Sequence, residues 1–312
     1  MNNNEITIEH IQMRSLVVDN GRLSGQSEGF SEAGAMDNQA FQLANYLAAN
    51  PMNTPGLEVL GSITLLFHCD ATIAVCGPSC LLTINDTPSD TWCSIDIKCG
   101  QKVTISSEKL GHRAYVGIHG NWDIPHIHGS ACTVMREQLG GLTGQGNALA
   151  SQDRIGGQFR LSQQQKKLSE QQRPNYSLVE PFDVVAGYQQ RGFSAYALAL
   201  FYASEYQLSP QCDRMGYRLS GPKISANSKA MRSEGINLGS VQVPGDGQPI
   251  IMMRDRQTLG GYPKIGAVAS YDIYRLAQAV PGDVISFRPV DMNNARGTWL
   301  LKQRIFSHLT KG

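Results

Sequence analysis

The sequence predicts a mainly β fold with a few helices, and three observations carry that prediction. Apolar residues come in short runs broken by Gly, Pro, Asn and Asp, the pattern of strands joined by tight turns. Glycine is frequent, 32 of 312 residues, and hydrophobic residues make up 41% against 17% charged, which describes a globular chain rich in turns, neither disordered nor collagen-like. The length exceeds the usual single-domain size, so either two lobes or one large strand-rich domain can bury a core. A polar stretch near the middle favours two lobes.

Along the chain, residues 6–18 open with the alternation Ile6, Ile8 and read as a strand. Asp19-Asn20-Gly21-Arg22 is a turn and 29–34 a loop. Phe41, Ala44, Leu47 and Ala48 fall at helical spacing, so 39–50 is a helix with Asp37 as its N-cap. Short β runs follow at 63–67, 72–75, 81–84, 102–105 and 114–118, completing an N-terminal β-rich lobe over 1–160. Residues 161–180 form the linker: from 161 to 176 the chain is Gln, Lys, Ser and Arg with almost no apolar content. The C-terminal lobe, 181–312, resumes with apolar runs at 194–208, 217–219, 241–243 and 249–253. Helical spacing at 271–279 then leads to Pro281-Gly282-Asp283. No solenoid-type repeat is visible.

Charge and motifs exclude several classes. Lys and Arg number 27 against 26 Asp and Glu, leaving no basic excess for nucleic acid or an anionic membrane. No run approaches the roughly 18 apolar residues of a membrane span, and the start Met1-Asn2-Asn3-Asn4-Glu5 is not a secretory leader. Seven scattered cysteines suit a reducing compartment, so a cytoplasmic location is expected. P-loop, dinucleotide-fold, His-Glu-x-x-His and Gly-x-Ser-x-Gly motifs are absent. His119, His126 and His128 near Asp123 have a usable metal spacing but suggest no further ligand, and neither Cys76-x3-Cys80 nor Cys93-x5-Cys99 is a zinc knuckle. No metal site is expected.

The chemistry is expected in the C-terminal third, from 242 to 264. Residues 250–253, Ile-Ile-Met-Met, read as a buried strand, and strand ends are where a rigid scaffold presents reactive groups to a cleft. Immediately after come Arg254-Asp255-Arg256-Gln257-Thr258, then Gly260-Gly261-Tyr262-Pro263-Lys264. The two glycines permit close backbone approach or positive φ. Asp255, Tyr262 and Lys264 are the catalytic candidates: Asp255 to orient or deprotonate, Tyr262 to donate a phenolic proton, Lys264 to hold an anion or steady an oxyanion. Arg214, Gln242, Gln248, Arg256, Gln257, Gly260 and Gly261 are the substrate-binding candidates. A Gly-rich turn with surface charges is the alternative for the whole stretch, and a structural Asp–Arg ion pair is the alternative for Arg214.

These stretches resemble the family described as allophanate hydrolase subunit 2, as biotin-dependent carboxyltransferase-like proteins, or as the C-type subunit of bacterial 5-oxoprolinase. The resemblance covers most of the chain. It rests on 214–222 and 233–264, and also on Asp19, Gly21-Arg22, Gly34-Ala35-Met36-Asp37, Ala44-Asn45 and Leu57-Glu58. Gly111-His112-Arg113-Ala114-Tyr115, Asp123-Ile124-Pro125, Gly129-Ser130, Thr133 and Gly140-Gly141 extend it through the middle. Two places depart from the family pattern by losing an arginine. Gly146-Asn147-Ala148-Leu149 with Gln152-Asp153 stands for Gly-Arg-x-Leu-x-x-Gly-Asp, and the run from Asp183 to Gln189 stands for Arg-x-x-Pro-Gly-Pro-Gln.

The resemblance implies two cyclophilin-like β-barrel lobes and a complex with a related subunit-1-like partner and a third oxoprolinase subunit. It implies an ATP-dependent opening of 5-oxoproline to glutamate, with ATP as a cofactor at the level of the complex. Lys264, Tyr262 and Arg256 would then be donors, and Asp255 and Gln257 orienting or proton-handling groups. Two alternatives follow from the same resemblance. One is the carboxyltransferase component of a biotin-dependent urea carboxylase, although the chain contains no Met-Lys-Met biotinylation site. The other is a non-catalytic regulatory antagonist that binds the subunit-1-like partner.

Overall fold

The structure, a computed structural model, describes residues 4–227 and 232–311. The chain forms two compact units: one comprises the residues up to Ser24 together with Ala33–Asn175, the other Gly25–Glu32 together with the residues from Tyr176 onward.

The first unit is built on strands β1 (Glu5–Val18), β2 (Gly56–Phe67), β3 (Ala71–Cys76), β4 (Cys80–Ile84), β5 (Thr87–Ser89), β6 (Ile95–Ile97), β7 (Lys102–Ser107), β8 (Arg113–Ile118), β9 (Gly120–Trp122) and β10 (Arg154–Phe159). They form one ten-stranded sheet, in which β1 and β2 pair antiparallel from Ile6↔Phe67 to Val18↔Gly56 with a bulge between Ile8 and His10. Alternation puts Ile6, Ile8, Ile63, Leu65 and Phe67 into a continuous core with Ile73, Val75, Val103, Ile105, Val116 and Ile118. The expected helix is α1 (Asn38–Leu47), and Asp37 caps it by accepting from the Ala40 N–H at 3.0 Å.

Many residues that carry the resemblance in this unit form buried polar networks. Asp19 accepts from Gly21 N, Ser130 Oγ and Ala131 N, and Arg22 donates to the Cys132 carbonyl at 2.6 Å. Glu58 accepts from Met36 N and from the Tyr115 hydroxyl, both at 2.9 Å, with Arg113 at 3.8 Å. Residues 161–175 belong to this unit: Lys166 lies 3.9 Å over the Tyr46 ring, and the Leu168 side chain is buried.

The second unit holds β11 (Phe182–Ala186), α2 (Ala195–Ala203), β12 (Glu205–Cys212), β13 (Gly216–Ser220), β14 (Glu234–Gly235), β15 (Ser240–Gln242), β16 (Ile250–Met252), β17 (Leu259–Gly260), β18 (Lys264–Val268), α3 (Ile273–Ala277), β19 (Val284–Val290) and α4 (Met292–Thr310). Seven strands close a barrel in the order β11-β18-β15-β16-β13-β12-β19. Its interior is aromatic: Phe201 stacks on Phe287 at 4.8 Å, with Tyr206 and Phe182 against them. α3 falls within the expected helical segment; α2 and α4 lie where the sequence shows only apolar runs or no periodicity. Beside the barrel β14 and β17 form a two-stranded ladder, Glu234↔Gly260 and Gly235↔Leu259.

Among the described residues no helix is long and apolar enough to cross a membrane, and no three His, Cys, Asp or Glu side chains are grouped to hold a metal.

Candidate active site

The predicted site residues fall into separate groups, each set by a neighbouring strand. β16 carries the buried run predicted from 250–253 and ends in the turn that holds Arg254 and Asp255. There the Asp255 carboxylate accepts two hydrogen bonds from Arg214, Nε to Oδ2 and Nη2 to Oδ1, both 2.8 Å, and the Asp255 N–H donates to the Arg214 carbonyl. Both side chains are buried, so this fork-to-carboxylate pair ties the turn after β16 to the turn before β13. Gln248 likewise bridges backbone, accepting from Gly221 N and donating to Gly221 O, each at 3.0 Å. Tyr262 stands at the surface, 49% exposed.

Arg256 is buried and donates with Nε to the Ile236 carbonyl, with Nη1 to the Met253 carbonyl and with Nη2 to Glu32. It forms one wall of a cavity of about 280 Å³ whose lining includes Gln257, Thr258, Ser31 and Asn237.

Lys264 opens β18 and lies opposite Gln242 of β15, so the two side chains occupy the same face of the barrel wall. Its ammonium donates to the Gly235 carbonyl at 2.7 Å and lies 4.0 Å from Glu234. Gln189 fastens this group. It accepts from the Lys264 N–H at 2.8 Å and donates through Nε2 to the Glu234 carboxylate and to the Tyr188 hydroxyl. Gln242 is 2% exposed, and its Nε2 is buried without a hydrogen-bond partner. A Cβ at Gly260 would come 2.5 Å from Ile236 Cδ1 and 3.0 Å from Gln242 Nε2, so a side chain there would press on the amide. Gly260 therefore serves close approach, not positive φ.

Lys264, Gln189, Tyr188, Gly235, Asn237 and Ser240 line a cavity of about 370 Å³ whose remaining wall is largely apolar, including Val185, Leu238 and Met292. Gly235 and Asn237 line this cavity and the Arg256 cavity alike.

The geometry thus brings Lys264, Gln242 and Gly260 together, and sets Arg256 and Gln257 in the adjoining cavity. Arg214 and Asp255 pair with each other, and Gln248 and Tyr262 stand apart from both cavities. Sequence reasoning misses Gln189 and Glu234 as site residues. The signal for Gln189 is its match to the terminal Gln of the family's Arg-x-x-Pro-Gly-Pro-Gln run; Glu234 lies in the 233–235 stretch.

Chemically, the cavity is offered the Lys264 ammonium, with N–H donors beyond the one given to Gly235, while neither Glu234 nor Gln242 is among the residues that line it. One such ammonium in a largely apolar wall suits a small ligand with an anionic or carbonyl oxygen.

Asp183 of β11 stands where the family pattern has arginine. Burial pushes its carboxyl up, but the Arg288 hydrogen bond and the Tyr271 hydroxyl at 2.6 Å outweigh this and hold it below the usual carboxylate range. Burial chiefly, with Asp183 adding to it, raises the Tyr271 phenol.

Comparison with known proteins agrees with this architecture. The carboxyltransferase domain family, subdomains A and B, matches residues 28–289. The C-type 5-oxoprolinase subunit of Escherichia coli (strain K12) is 34% identical over 301 residues, 95% of each chain. That of Haemophilus influenzae is 32% identical over 292 residues, 93% of each. The Kluyveromyces lactis urea amidolyase structure superposes with a TM-score of 0.90 at 24% identity, covering 99% of this chain and 20% of that one. The chain belongs to the carboxyltransferase-domain family, subdomains A and B, that includes the C-type subunits of 5-oxoprolinase.

Proposed function

We propose that this chain is the C-type subunit of an ATP-dependent 5-oxoprolinase-type assembly that opens 5-oxoproline to glutamate. The observation that carries the reading is similarity over nearly the whole of both chains to relatives named as C-type subunits of 5-oxoprolinase. The Lys264 cavity is where this subunit meets the ring. A lactam resists attack because amide resonance stabilises it, so a catalyst must offer donors where negative charge grows on the ring oxygen. Lys264, which lines the cavity, is the donor, and Glu234, held by Gln189, lies 4.0 Å from its ammonium and sets the charge around it. Arg214–Asp255 keeps the turn before Arg256 in position.

ATP would supply the activation of the amide oxygen, yet this cavity fits a triphosphate poorly. The Lys264 ammonium in its lining is already engaged with a carbonyl and lies beside a carboxylate. ATP is assigned to the assembly, together with a subunit-1-like partner and a third subunit. Seven cysteines scattered over a chain of this length fit a reducing, cytoplasmic setting.

The second reading, carboxyl transfer from biotin in a urea carboxylase system, is favoured by the carboxyltransferase match and by the urea amidolyase of Saccharomyces cerevisiae, 27% identical over 303 residues. There the chain spans only 16% of the relative's length, and the rest of that relative has no counterpart in these residues. The test is co-expression with the partner subunits and measurement of ATP-dependent glutamate release from 5-oxoproline. Release by wild type that is lost in Lys264→Ala, with the complex intact, supports the reading. A stable complex without turnover overturns it and leaves the regulatory alternative.

A further inference from the structure

The second unit ends in α4, a 19-residue helix that spends little of its surface on the rest of the chain. Ala295 packs beside Ala269 and Tyr271, and the Lys302 ammonium lies 4.8 Å over the Tyr271 ring. The opposite arc is open: Leu300 is 51% exposed, Leu301 59% and Ile305 60%. At 3.6 residues per turn, Leu300, Arg304, Gly297, His308, Leu301 and Ile305 follow one another round that arc. This chain's own packing leaves more than half of each of these large aliphatic groups in solvent.

Gly297 points the same way. A Cβ at this position would meet nothing within 4 Å, so no neighbour in the chain excludes a side chain. A helix-interior glycine costs about 1 kcal/mol relative to alanine, and what it provides is close approach of another backbone. Gly297, Leu301 and Ile305 are spaced i, i+4, i+8, the anchoring pattern of a helix laid in a groove. The charge is one-sided: α4 carries Arg296, Lys302, Arg304 and His308 and no Asp or Glu.

We propose that the Gly297–Leu301–Ile305 arc of α4 is a docking surface for a partner subunit that presents an apolar groove rimmed by carboxylates; the existence of that partner rests on the oxoprolinase-type reading. A second copy of this chain would oppose one basic helix to another. A membrane is disfavoured because Arg304 and His308 lie inside the arc, between Leu300 and Leu301, and would be carried toward hydrocarbon. A protein groove can set acids against them.

The test measures the affinity of the purified chain for its co-expressed subunit-1-like partner, with wild type, Leu301→Asp/Ile305→Asp and Arg304→Glu. The substituted positions are exposed, and melting curves check that the variants stay folded. The double variant should lose at least about thirty-fold in affinity, the loss expected when a central anchor of about 2 kcal/mol is removed. Arg304→Glu should slow association most at low salt. Unchanged affinity in both variants overturns the inference and leaves the oxoprolinase reading standing. No complex with wild type overturns both. Binding to phosphatidylserine vesicles, or self-association, that the double variant abolishes while partner affinity is kept assigns the arc to that other occupant and overturns the proposal.

Discussion

At the scale of single residues, the site divides into groups that hold and groups that face a cavity. Arg214 and Asp255 satisfy each other in a buried bidentate pair. Removing one partner strands a charge, so Arg214→Ala should lower the unfolding free energy by about 3–5 kcal/mol, read by denaturant titration. Asp183 gives a signed pH effect. Its folded pKa is held below that of the unfolded chain, so its stabilisation is present above about pH 4 and is lost as pH falls through the folded value. Asp183→Asn should therefore flatten the acid limb of the stability profile, measured by melting temperature between about pH 5 and pH 2. How far these roles are legible in the sequence differs by residue. Lys264 stands out in the sequence because Pro263 and two glycines precede it, and in the structure it lines the cavity beside Gln189. The partners that define its surroundings, Gln189 and Glu234, lie 75 and about 30 residues away in sequence, and no local spacing reveals a pairing made through tertiary contact.

Elements are legible where their pattern reports a one-sided environment. β1 starts by alternating, with Ile6 and Ile8 turned to one core before its fully buried end at 15–18, and α1 has both the helical apolar spacing and the Asp37 cap. Asp37→Ala should cost about 1 kcal/mol, and more if the Asp37 N–H shifts from the Tyr115 hydroxyl, to which it donates at 2.8 Å. Equilibrium unfolding of the variant checks the value. α2 reads only as an apolar run, since Ala195–Ala203 is nearly all apolar and shows no periodicity. α4 escapes notice for the opposite reason. Its aliphatic residues face outward, so the sequence pattern does not follow the core, and Gly297 weakens the helical signal further. The β14–β17 ladder is two residues long on each side, and nothing in 234–235 or 259–260 specifies its register. Yet that ladder brings Glu234 and Gly235 to the Lys264 ammonium. The part of the site hardest to read is the part made by the shortest strands.

For the whole molecule, the coverage of relatives separates the two enzymatic readings. The chain matches 95% of one C-type 5-oxoprolinase subunit and only 16% of a urea amidolyase. Correspondence over nearly the whole of a C-type subunit favours the oxoprolinase-type reading, whereas the urea amidolyase match covers one part of a much larger polypeptide. On the oxoprolinase-type reading the subunit finds its partners by mass action, and the assembly is open to competition. Lys264→Ala changes a cavity residue and leaves α4 intact, so the variant should enter the complex as well as wild type does. With the other subunits limiting, mixing equal amounts of wild type and Lys264→Ala should lower glutamate release to about half, following the share of complexes that hold the variant. Adding Leu301→Asp/Ile305→Asp to the Lys264→Ala chain should abolish the inhibition, because that chain no longer competes for the partner. Inhibition by Lys264→Ala that persists in the triple variant would locate assembly on another surface while keeping Lys264 in the active site. Absence of inhibition by a variant that demonstrably co-purifies with the partner would remove Lys264 from the chemistry of the complex.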